Sequence, residues 1–372
     1  MNLYLFGIIF SAVFVLINLY IHKRFVEKLD CRVRTKRYIN LFLVINFLGI
    51  IGYFLARYYV ITPNWLYFLL SLPIGVLFLL FCTTIVYDIL RVLLSKLPLR
   101  QSRRNFFKRS LDLSSLFVAT SLSTKAMVNA KTVTLEKVDI KIKDLKKEYK
   151  IVQISDLHVG GLIDKDFVNE IVQKVNLLHP DIVVITGDLV DVQVSYVKET
   201  IDELKKLKST YGTYYIVGNH EYFHGIEEII KSVKSMGIKV LENENVYIGE
   251  KERGFNLAGV YDLFGYRMGV YQPDLQKALE NIENSPTLLL AHQPRYIYEV
   301  DKRVDLVLSG HTHGGQIYPF GFLVKIVQPY ISGLHQHTKD LQIYVNKGTG
   351  FWGPPMRLGA SAEITEINLQ PR

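Results

Sequence analysis

Gly310-His311-Thr312-His313-Gly314-Gly315-Gln316 follows the apolar run Asp305-Leu306-Val307-Leu308-Ser309. The apolar run predicts a buried strand, and the glycines allow the backbone to turn tightly at its end. Two imidazoles at a strand end suit a metal ion. Taken alone, however, the same pair of histidines fits an exposed turn equally well.

Four further apolar runs end in the same way. Each predicted strand is followed within a few residues by an Asp, Asn or His, usually with a glycine nearby. The stretches are Ile151–Ile154 with Asp156-Leu157-His158, Ile182–Ile185 with Gly187-Asp188-Leu189-Val190-Asp191, Tyr215–Val217 with Gly218-Asn219-His220-Glu221, and Leu288–Leu290 with His292. Because parallel α/β sheets carry their sites beyond the carboxyl ends of strands, these side chains are expected to surround one point.

In this order the motifs resemble those of the calcineurin-like metallophosphoesterases. Three segments resemble the bacterial YkuE-like branch of this family, which is membrane-associated or exported. They are Gly-Asp-Leu-Val-Asp, His292-Gln293-Pro294 and Gly-His-Thr-His-Gly-Gly-Gln. The resemblance runs from about residue 148 to the C-terminus. It implies an α/β fold with two packed mixed sheets flanked by helices, and a metal-dependent phosphohydrolase.

The resemblance also implies roles for individual residues. Two divalent metals are expected, with Asp188 bridging them. One metal takes Asp156, His158, Asp188 and His313, and the other takes Asp188, Asn219, His292 and His311. His220 is implied to be a catalytic acid or a donor to a phosphate oxygen, with a structural turn histidine as the alternative. Asp191, Asp262 and Arg357 are candidates for supporting a ligand or touching substrate. Mn²⁺, Fe²⁺ and Zn²⁺ all accept this mixture of oxygen and nitrogen donors.

The first 130 residues predict a membrane region. Helices are expected at about residues 3–21, 38–57 and 65–87, because each stretch is apolar, free of charge apart from Arg57 at the end of the second, and close to the length of a bilayer crossing. A weaker apolar stretch, residues 111–128, is interrupted by Asp112 and Lys125. Residues 131–372 are then expected to form the metallophosphoesterase domain.

Charge is distributed unevenly along the chain. Residues 1–131 hold 17 Lys and Arg against 4 Asp and Glu, whereas residues 132–372 hold 27 against 31, a net charge of −4. The basic excess therefore indicates membrane orientation rather than nucleic-acid binding. By the positive-inside rule the loop His22–Arg37 is cytoplasmic, and the uncharged connection Tyr58–Asn64 is on the outer face.

The segment after the third predicted helix bears on where the catalytic domain lies. Ser102-Arg103-Arg104-Asn105-Phe106-Phe107-Lys108 looks like a twin-arginine export signal, and Val128-Asn129-Ala130 resembles a cleavage site. The alternative is a basic cytoplasmic loop followed by an amphipathic linker. We favour export of the catalytic domain to the outer face, and leave cleavage open.

The sequence therefore predicts a multi-pass, membrane-anchored, two-metal phosphoric ester hydrolase. Its substrate would be a phosphodiester, pyrophosphate or monoester, and anchoring near the bilayer suggests a lipid-linked or cell-envelope substrate. Expected partners are this substrate, the membrane and, if the export signal is used, the twin-arginine machinery. The alternatives are a catalytically silent metal-binding sensor or scaffold, and a nuclease of the same superfamily, which the charge of −4 disfavours.

Overall fold

The computed structural model describes residues 3–58 and 62–372. The centre of the Tyr58–Asn64 connection, residues 59–61, lies outside the described residues. The chain divides into two compact units. The first is Met1–Val128 with Gly353–Leu358, and the second is Asn129–Trp352 with Gly359–Arg372.

Four long helices make up most of the first unit. They are α1 (Leu3–Arg24), α2 (Val33–Tyr58), α3 (Asn64–Lys96) and α4 (Gln101–Ala130). Among the described residues, three helices are long and apolar enough to cross a membrane, and they correspond to α1, α2 and α3. All three run past the predicted boundaries, because charged residues continue the helix beyond its apolar part. Asp88, for example, lies within α3 and is paired with Arg24 of α1 at 2.5 Å.

Helix α4 differs from the expectation for this segment. The basic residues and the weaker apolar stretch at 111–128 form one continuous helix, because neither Gly nor Pro occurs between Gln101 and Ala130. Asp112, which interrupts the apolar pattern, is buried within the first unit. Its carboxylate accepts hydrogen bonds from the Tyr87 hydroxyl at 2.8 Å and the Asp30 backbone N–H at 2.9 Å.

The second unit alternates strands and helices, as its sequence predicts. Its strands are β1 (Val133–Ile142), β2 (Tyr149–Ile154), β3 (Ile182–Thr186), β4 (Thr213–Ile216), β5 (Lys239–Val240), β6 (Glu244–Ile248), β7 (Phe255–Gly259), β8 (Thr287–Leu290), β9 (Leu306–Ser309), β10 (Gly333–Gln336), β11 (Gln342–Val345) and β12 (Ala362–Pro371). Its helices are α5 (Lys165–Leu177), α6 (Val194–Ile201), α7 (Asn219–His224), α8 (Ile226–Ser235), α9 (Phe264–Met268), α10 (Leu275–Ala278) and α11 (Gly321–Val327).

These strands form two six-stranded mixed sheets. Their orders are β1-β12-β2-β3-β4-β5 and β10-β11-β9-β8-β7-β6. Strands β2 to β5 are mutually parallel, as are β11, β9, β8 and β7. The predicted α/β architecture of two mixed sheets is thus confirmed.

Apolar side chains from both sheets share one core. Residues of β2 and β3, such as Ile151 and Val184, are buried with Leu288 and Leu308 of β8 and β9. The opposite face of the first sheet packs on α5, α6 and α8 through a second cluster that includes Ile171 and Ile229. Alternate residues of a strand point to opposite faces, so these strands read as nearly continuous apolar runs. The sandwich fixes where the carboxyl ends of its parallel strands lie.

Candidate metal centre

Polar residues follow five parallel strands at their carboxyl ends. Asp156 and His158 follow β2, Asp188 follows β3, Asn219 and His220 begin α7 after β4, His292 follows β8, and His311 and His313 follow β9. The predicted convergence of these five strand ends is observed. Asp188 is nearly central, since its Oδ2 lies 3.2 Å from Nε2 of His292, 3.8 Å from Nε2 of His220 and 3.9 Å from Nε2 of His158.

Two groups of side chains in this cluster could each hold a metal ion. Donor atoms of Asp156, His158 and His313 lie within 4.8 Å of one another, and so do those of Asp188, His292 and His311. Each group contains three of the four residues that the family resemblance implies for one metal, and the full ligand sets stay a prediction. A third group of the same kind, His158, Asp191 and His220, shares His158 with the first.

The donor atoms fit divalent cations in both number and chemistry. Nε2 of His158 and Nε2 of His313 lie 3.0 Å apart, with Oδ1 of Asp156 3.5 Å from the latter. Within the described parts of the chain, the buried Oδ1 of Asn219 has no hydrogen-bond partner. Nδ1 of His292 lies 2.6 Å from the Thr186 carbonyl, so a proton on Nδ1 leaves Nε2 free for a metal.

The backbone around these residues is unusual. Asp156, His158, Asp188, His311 and His313 all have φ between 49° and 70°, a left-handed conformation that is uncommon for residues other than glycine. Such strain persists only where surrounding contacts hold it, and it concentrates at functional sites. Here two contacts hold it: His311 N–H donates to both oxygens of Asp156 at 3.0 Å, and His220 N–H donates to Oδ1 of Asp188 at 2.8 Å.

Two glycines are required by close approach to the carboxylates. A Cβ at Gly218 would lie 2.2 Å from Oδ1 of Asp188, and a Cβ at Gly310 would lie 2.4 Å from Oδ2 of Asp156 and 2.0 Å from the hydroxyl of Ser155. None of these distances is possible for a real side chain. The glycines of the Gly-Asn-His and Gly-His-Thr-His motifs therefore make room for the carboxylate groups.

Burial and the charges of neighbouring carboxylates and imidazoles shift the pKa values in the cluster. Burial raises the pKa of Asp188, but the neighbouring imidazoles, His292 first, outweigh it and hold this pKa well below its ordinary value. Burial lowers the pKa of His292, but Asp188 and Asp156 reverse this and raise it well above its ordinary value. Burial and the charge of His292 lower the pKa of His311 to about 3, so that imidazole is neutral. Ionised Asp188 and neutral His311 are thus in the form that binds a metal, whereas the raised pKa of His292 favours its imidazolium, which has to lose a proton before its Nε2 can bind a metal.

Asp191 contacts two histidines of the cluster, and Glu221 binds the backbone of its loops. Oδ1 of Asp191 lies 2.8 Å from Nδ1 of His158 and 2.6 Å from Nδ1 of His220. Glu221 is buried and accepts hydrogen bonds from backbone N–H groups of Gly218 at 2.6 Å, Leu189 at 2.7 Å and Asp188 at 3.1 Å. The sequence left the role of Glu221 open, because nothing in Gly-Asn-His-Glu indicates a contact with a loop 32 residues earlier.

Two aromatic rings flank His220, and neither belongs to a motif that predicts the site. The ring of Phe223 lies 6.1 Å from the His220 ring and that of Trp352 lies 6.0 Å away, each edge-on. Both aromatic side chains are exposed. Phe223 is three residues after His220 on α7, a spacing that places both on one face of a helix and could have indicated it.

The remaining two candidates lie differently. Asp262 follows β7 and is buried, with Oδ1 accepting from the side-chain amide of Gln293 at 2.9 Å and from Phe264 N–H at 2.7 Å. It thus contacts the neighbour of His292 in sequence. Arg357 belongs to the segment Gly353–Leu358 of the first unit, where its backbone N–H donates to the Ala126 carbonyl at 2.8 Å. A contact of Arg357 with substrate stays a prediction.

Comparisons with known proteins agree with this chemistry. A family model described as calcineurin-like phosphoesterase matches residues 149–315. An uncharacterized metallophosphoesterase of Helicobacter pylori is 40% identical over 316 residues, 84% of each chain, and one of Campylobacter jejuni is 36% identical over 373 residues, 98% of each chain. A transmembrane protein with metallophosphoesterase domain from Danio rerio is 31% identical over 98% of this chain and 89% of its own length.

A solved dimetal phosphatase from Danio rerio is similar at 11% identity with a TM-score of 0.36, covering 54% of this chain and 87% of that chain. This likeness is too low to add to the assignment, which rests on the sequence relatives. The three apolar helices and the similarity to a transmembrane protein identify the chain as a membrane protein. Membership of the YkuE-like branch stays a prediction. The chain belongs to the calcineurin-like phosphoesterase family and is a metal-dependent phosphohydrolase.

Proposed function

We propose that the protein is a membrane-anchored hydrolase of phosphoric esters that works with two divalent metals. The observation that carries the proposal is the pair of donor groups, Asp156/His158/His313 and Asp188/His292/His311, at one end of the two sheets. Two metals that lie roughly 3.5–4 Å apart can clamp both the attacking and the leaving oxygen of a phosphoryl group. Phosphodiesters, pyrophosphates and phosphomonoesters all present such oxygens.

Asp188 is the proposed bridge between the metals. The first metal would take Asp156, His158, Asp188 and His313, and the second Asp188, Asn219, His292 and His311. The unpartnered Oδ1 of Asn219 and the neutral imidazole of His311 support the second set. When bound, Mn²⁺, Fe²⁺ or Zn²⁺ would polarise the phosphoryl group and lower the pKa of a coordinated water.

The residues around the metals would position and protonate the substrate. Nε2 of His220 lies 3.8 Å from Asp188 and its Nδ1 lies 2.6 Å from Asp191, so that in the imidazolium form Nε2 carries the second proton at the edge of the metal site. We assign to it the protonation of the leaving oxygen, or a hydrogen bond to a phosphate oxygen. Asp191 orients His220 and His158 together.

The membrane anchor narrows the proposed substrate. Helices α1, α2 and α3 would keep the enzyme beside a bilayer, which favours a lipid-linked or envelope phosphoester, for example the pyrophosphate of a lipid precursor. The basic loop His22–Arg37 and the motif Ser102–Lys108 support a multi-pass orientation with the catalytic unit on the outer face, reached through the twin-arginine machinery. The division into a membrane region, residues 1–130, and a catalytic domain, residues 131–372, is part of the same proposal.

Hydrolysis by the full-length chain in detergent tests the function. The substrates are a chromogenic phosphodiester, its matching monoester, a lipid pyrophosphate, and single- and double-stranded DNA, each with and without Mn²⁺. Asp188→Asn removes the proposed bridging carboxylate, and Asp166→Asn, an exposed aspartate on α5, is the matched control. We expect metal-dependent turnover that Asp188→Asn abolishes and Asp166→Asn leaves unchanged.

The outcomes separate the alternatives. Turnover of the lipid pyrophosphate alone would establish the lipid-linked substrate, and preference for one chromogenic ester would decide between diesters and monoesters. Bound metal without turnover of any ester would support the silent sensor or scaffold and overturn the hydrolase. Cleavage of single- or double-stranded DNA that Asp188→Asn abolishes would support the nuclease instead.

A further inference from the structure

We propose that helix α11 and the residue before it bind the surface of the lipid bilayer, so that the second unit touches the membrane directly. The surface in question, the α11 face, consists of the exposed side chains of Phe320, Phe322, Leu323, Ile326 and Val327. The inference goes beyond the proposed hydrolysis, because it concerns how the second unit is held and not what it cleaves.

The sequence around α11 is almost free of charge. From Gly314 to Leu334 the only charged residue is Lys325. The stretch cannot cross a bilayer, because α11 has seven residues, about 10 Å of helix, and Pro319 and Pro329 flank it. A short apolar helix with one cation is suited to lying in the interface of a membrane.

The exposed apolar side chains of the second unit are concentrated at this helix. Of the 15 large hydrophobic side chains exposed in that unit, all of whose residues are described, five lie between Phe320 and Val327. Ile326 is 78% exposed, Phe322 62% and Val327 60%. Apolar side chains clustered in this way mark a surface that another apolar phase covers.

The α11 face is fixed in place and cannot simply turn inward. A Cβ at Gly315 would lie 2.3 Å from Cα of Gly321, so the first turn of α11 packs directly on the loop that carries His313. At the other end Gln328 is buried, and its Oε1 accepts a hydrogen bond from the Arg295 backbone N–H at 3.0 Å. Both ends of the helix are thus attached to the fold, and its apolar side chains point away from it.

A bilayer suits this surface better than a protein partner does. Specific protein interfaces carry about one hydrogen bond per 100–200 Å², yet within α11 only Lys325 offers a polar side chain. That ammonium group matches the phosphates of lipid headgroups. Three membrane-length helices in the same chain also keep lipid at high effective concentration near the second unit.

Contact of α11 with lipid would bring the metal site to headgroup depth. His313, Gly315 and Gly321 form one packed segment, so the loop that bears the proposed metal ligand follows α11 wherever it sits. A phosphoester at the membrane surface could then reach the site without leaving the bilayer.

The test is a fluorescence measurement on the full-length chain in vesicles of equal parts phosphatidylcholine and phosphatidylglycerol. Cys31 and Cys82 are changed to Ser, and Ile326→Cys carries an environment-sensitive fluorophore. Leu177→Cys, 76% exposed on α5, is the matched control, and Val327→Cys is a second reporter. We expect lipids with a nitroxide near the headgroup to quench the labels at 326 and 327 several-fold more than the label at 177. Quenching at 326 and 327 that is no greater than at 177 would overturn the proposal.

Two further observations sharpen the result. A blue-shifted label at 326 without nitroxide quenching would assign the α11 face to a second copy of the chain or another protein, and would overturn the bilayer contact. In the Ile326→Cys background, Lys325→Glu should lower quenching in these anionic vesicles and leave it unchanged in pure phosphatidylcholine. Because none of these readouts needs catalysis, failure here is distinct from failure of the proposed hydrolysis.

Discussion

Oδ1 of Asp191 lies 2.6 Å from Nδ1 of His220, and the same oxygen lies 2.8 Å from Nδ1 of His158. One carboxylate thus orients both a proposed metal ligand and the proposed proton donor. With Nδ1 of each ring held, both Nε2 atoms lie on the side of Asp188, at 3.9 Å for His158 and 3.8 Å for His220. We therefore expect the proposed metal binding and the proposed proton transfer to be coupled through Asp191.

Asp191→Asn should weaken both functions at once. Loss of the charge leaves His158 and His220 poorly oriented, and changes to groups that hold a ligand histidine typically cost 10–100-fold in metal affinity or activity. We expect losses of about that size in Mn²⁺ affinity and in kcat at saturating Mn²⁺. Calorimetric titration and steady-state kinetics measure the two. Asp202→Asn, at a carboxylate paired with Lys198 and Lys205 away from the cluster, is the control, and loss of only one property would contradict the coupling.

His220→Gln should discriminate between leaving groups. If His220 protonates the leaving oxygen, an alkyl ester should lose roughly 10²–10⁴-fold in kcat. A nitrophenyl ester should lose far less, because its leaving group needs no proton. His179→Gln, at an exposed histidine that follows α5, is the control. Equal losses for both esters would assign His220 to binding the phosphate and not to protonation.

Glu221→Gln should destabilise the loops that carry the proposed metal ligands. The buried carboxylate accepts hydrogen bonds from four backbone N–H groups, those of Gly218, Asp188, Leu189 and Val190, and a glutamine would turn an NH₂ group toward at least one of them. We expect a loss of about 2 kcal/mol in the free energy of unfolding and a weaker stabilisation by Mn²⁺. Thermal unfolding with and without Mn²⁺ measures both effects. An unchanged Tm, matching that of the exposed Glu228→Gln control, would show that Glu221 is dispensable.

The sequence predicted what depends on local pattern. The strands β2, β3, β4, β8 and β9 are apolar runs, and parallel packing brings their carboxyl ends together, so the convergence of Asp156, Asp188 and His292 followed from order along the chain. The contact of Glu221 with the Asp188 loop could not be predicted, because it joins residues 33 positions apart through backbone groups.

Backbone geometry and the extent of α4 were also beyond the sequence patterns. The left-handed φ of Asp156 and Asp188 is held by hydrogen bonds from distant loops, which their carboxylates accept from His311 N–H and His220 N–H. Helix α4 was expected to be weak because Asp112 interrupts it. Tyr87 and Asp30 satisfy that carboxylate, and no local signal indicates either partner.

Asp262→Asn should change how stability depends on pH. Asp262 is only 2% exposed, and burial raises its pKa to about 6 from an ordinary value of 3.8. An acid with a raised pKa favours the folded state while it is protonated, so wild type loses stability as pH rises from about 4 to 6. Asparagine removes that loss, which is at most about 3 kcal/mol for a shift of two pKa units. The variant should therefore unfold several degrees above wild type at pH 7 and level with it at pH 4, measured by Tm in chelator. The exposed Asp166→Asn is the control, for which the Tm difference from wild type should stay constant between pH 4 and pH 7. The same constant difference for Asp262→Asn would mean that Asp262 is ionised throughout this range.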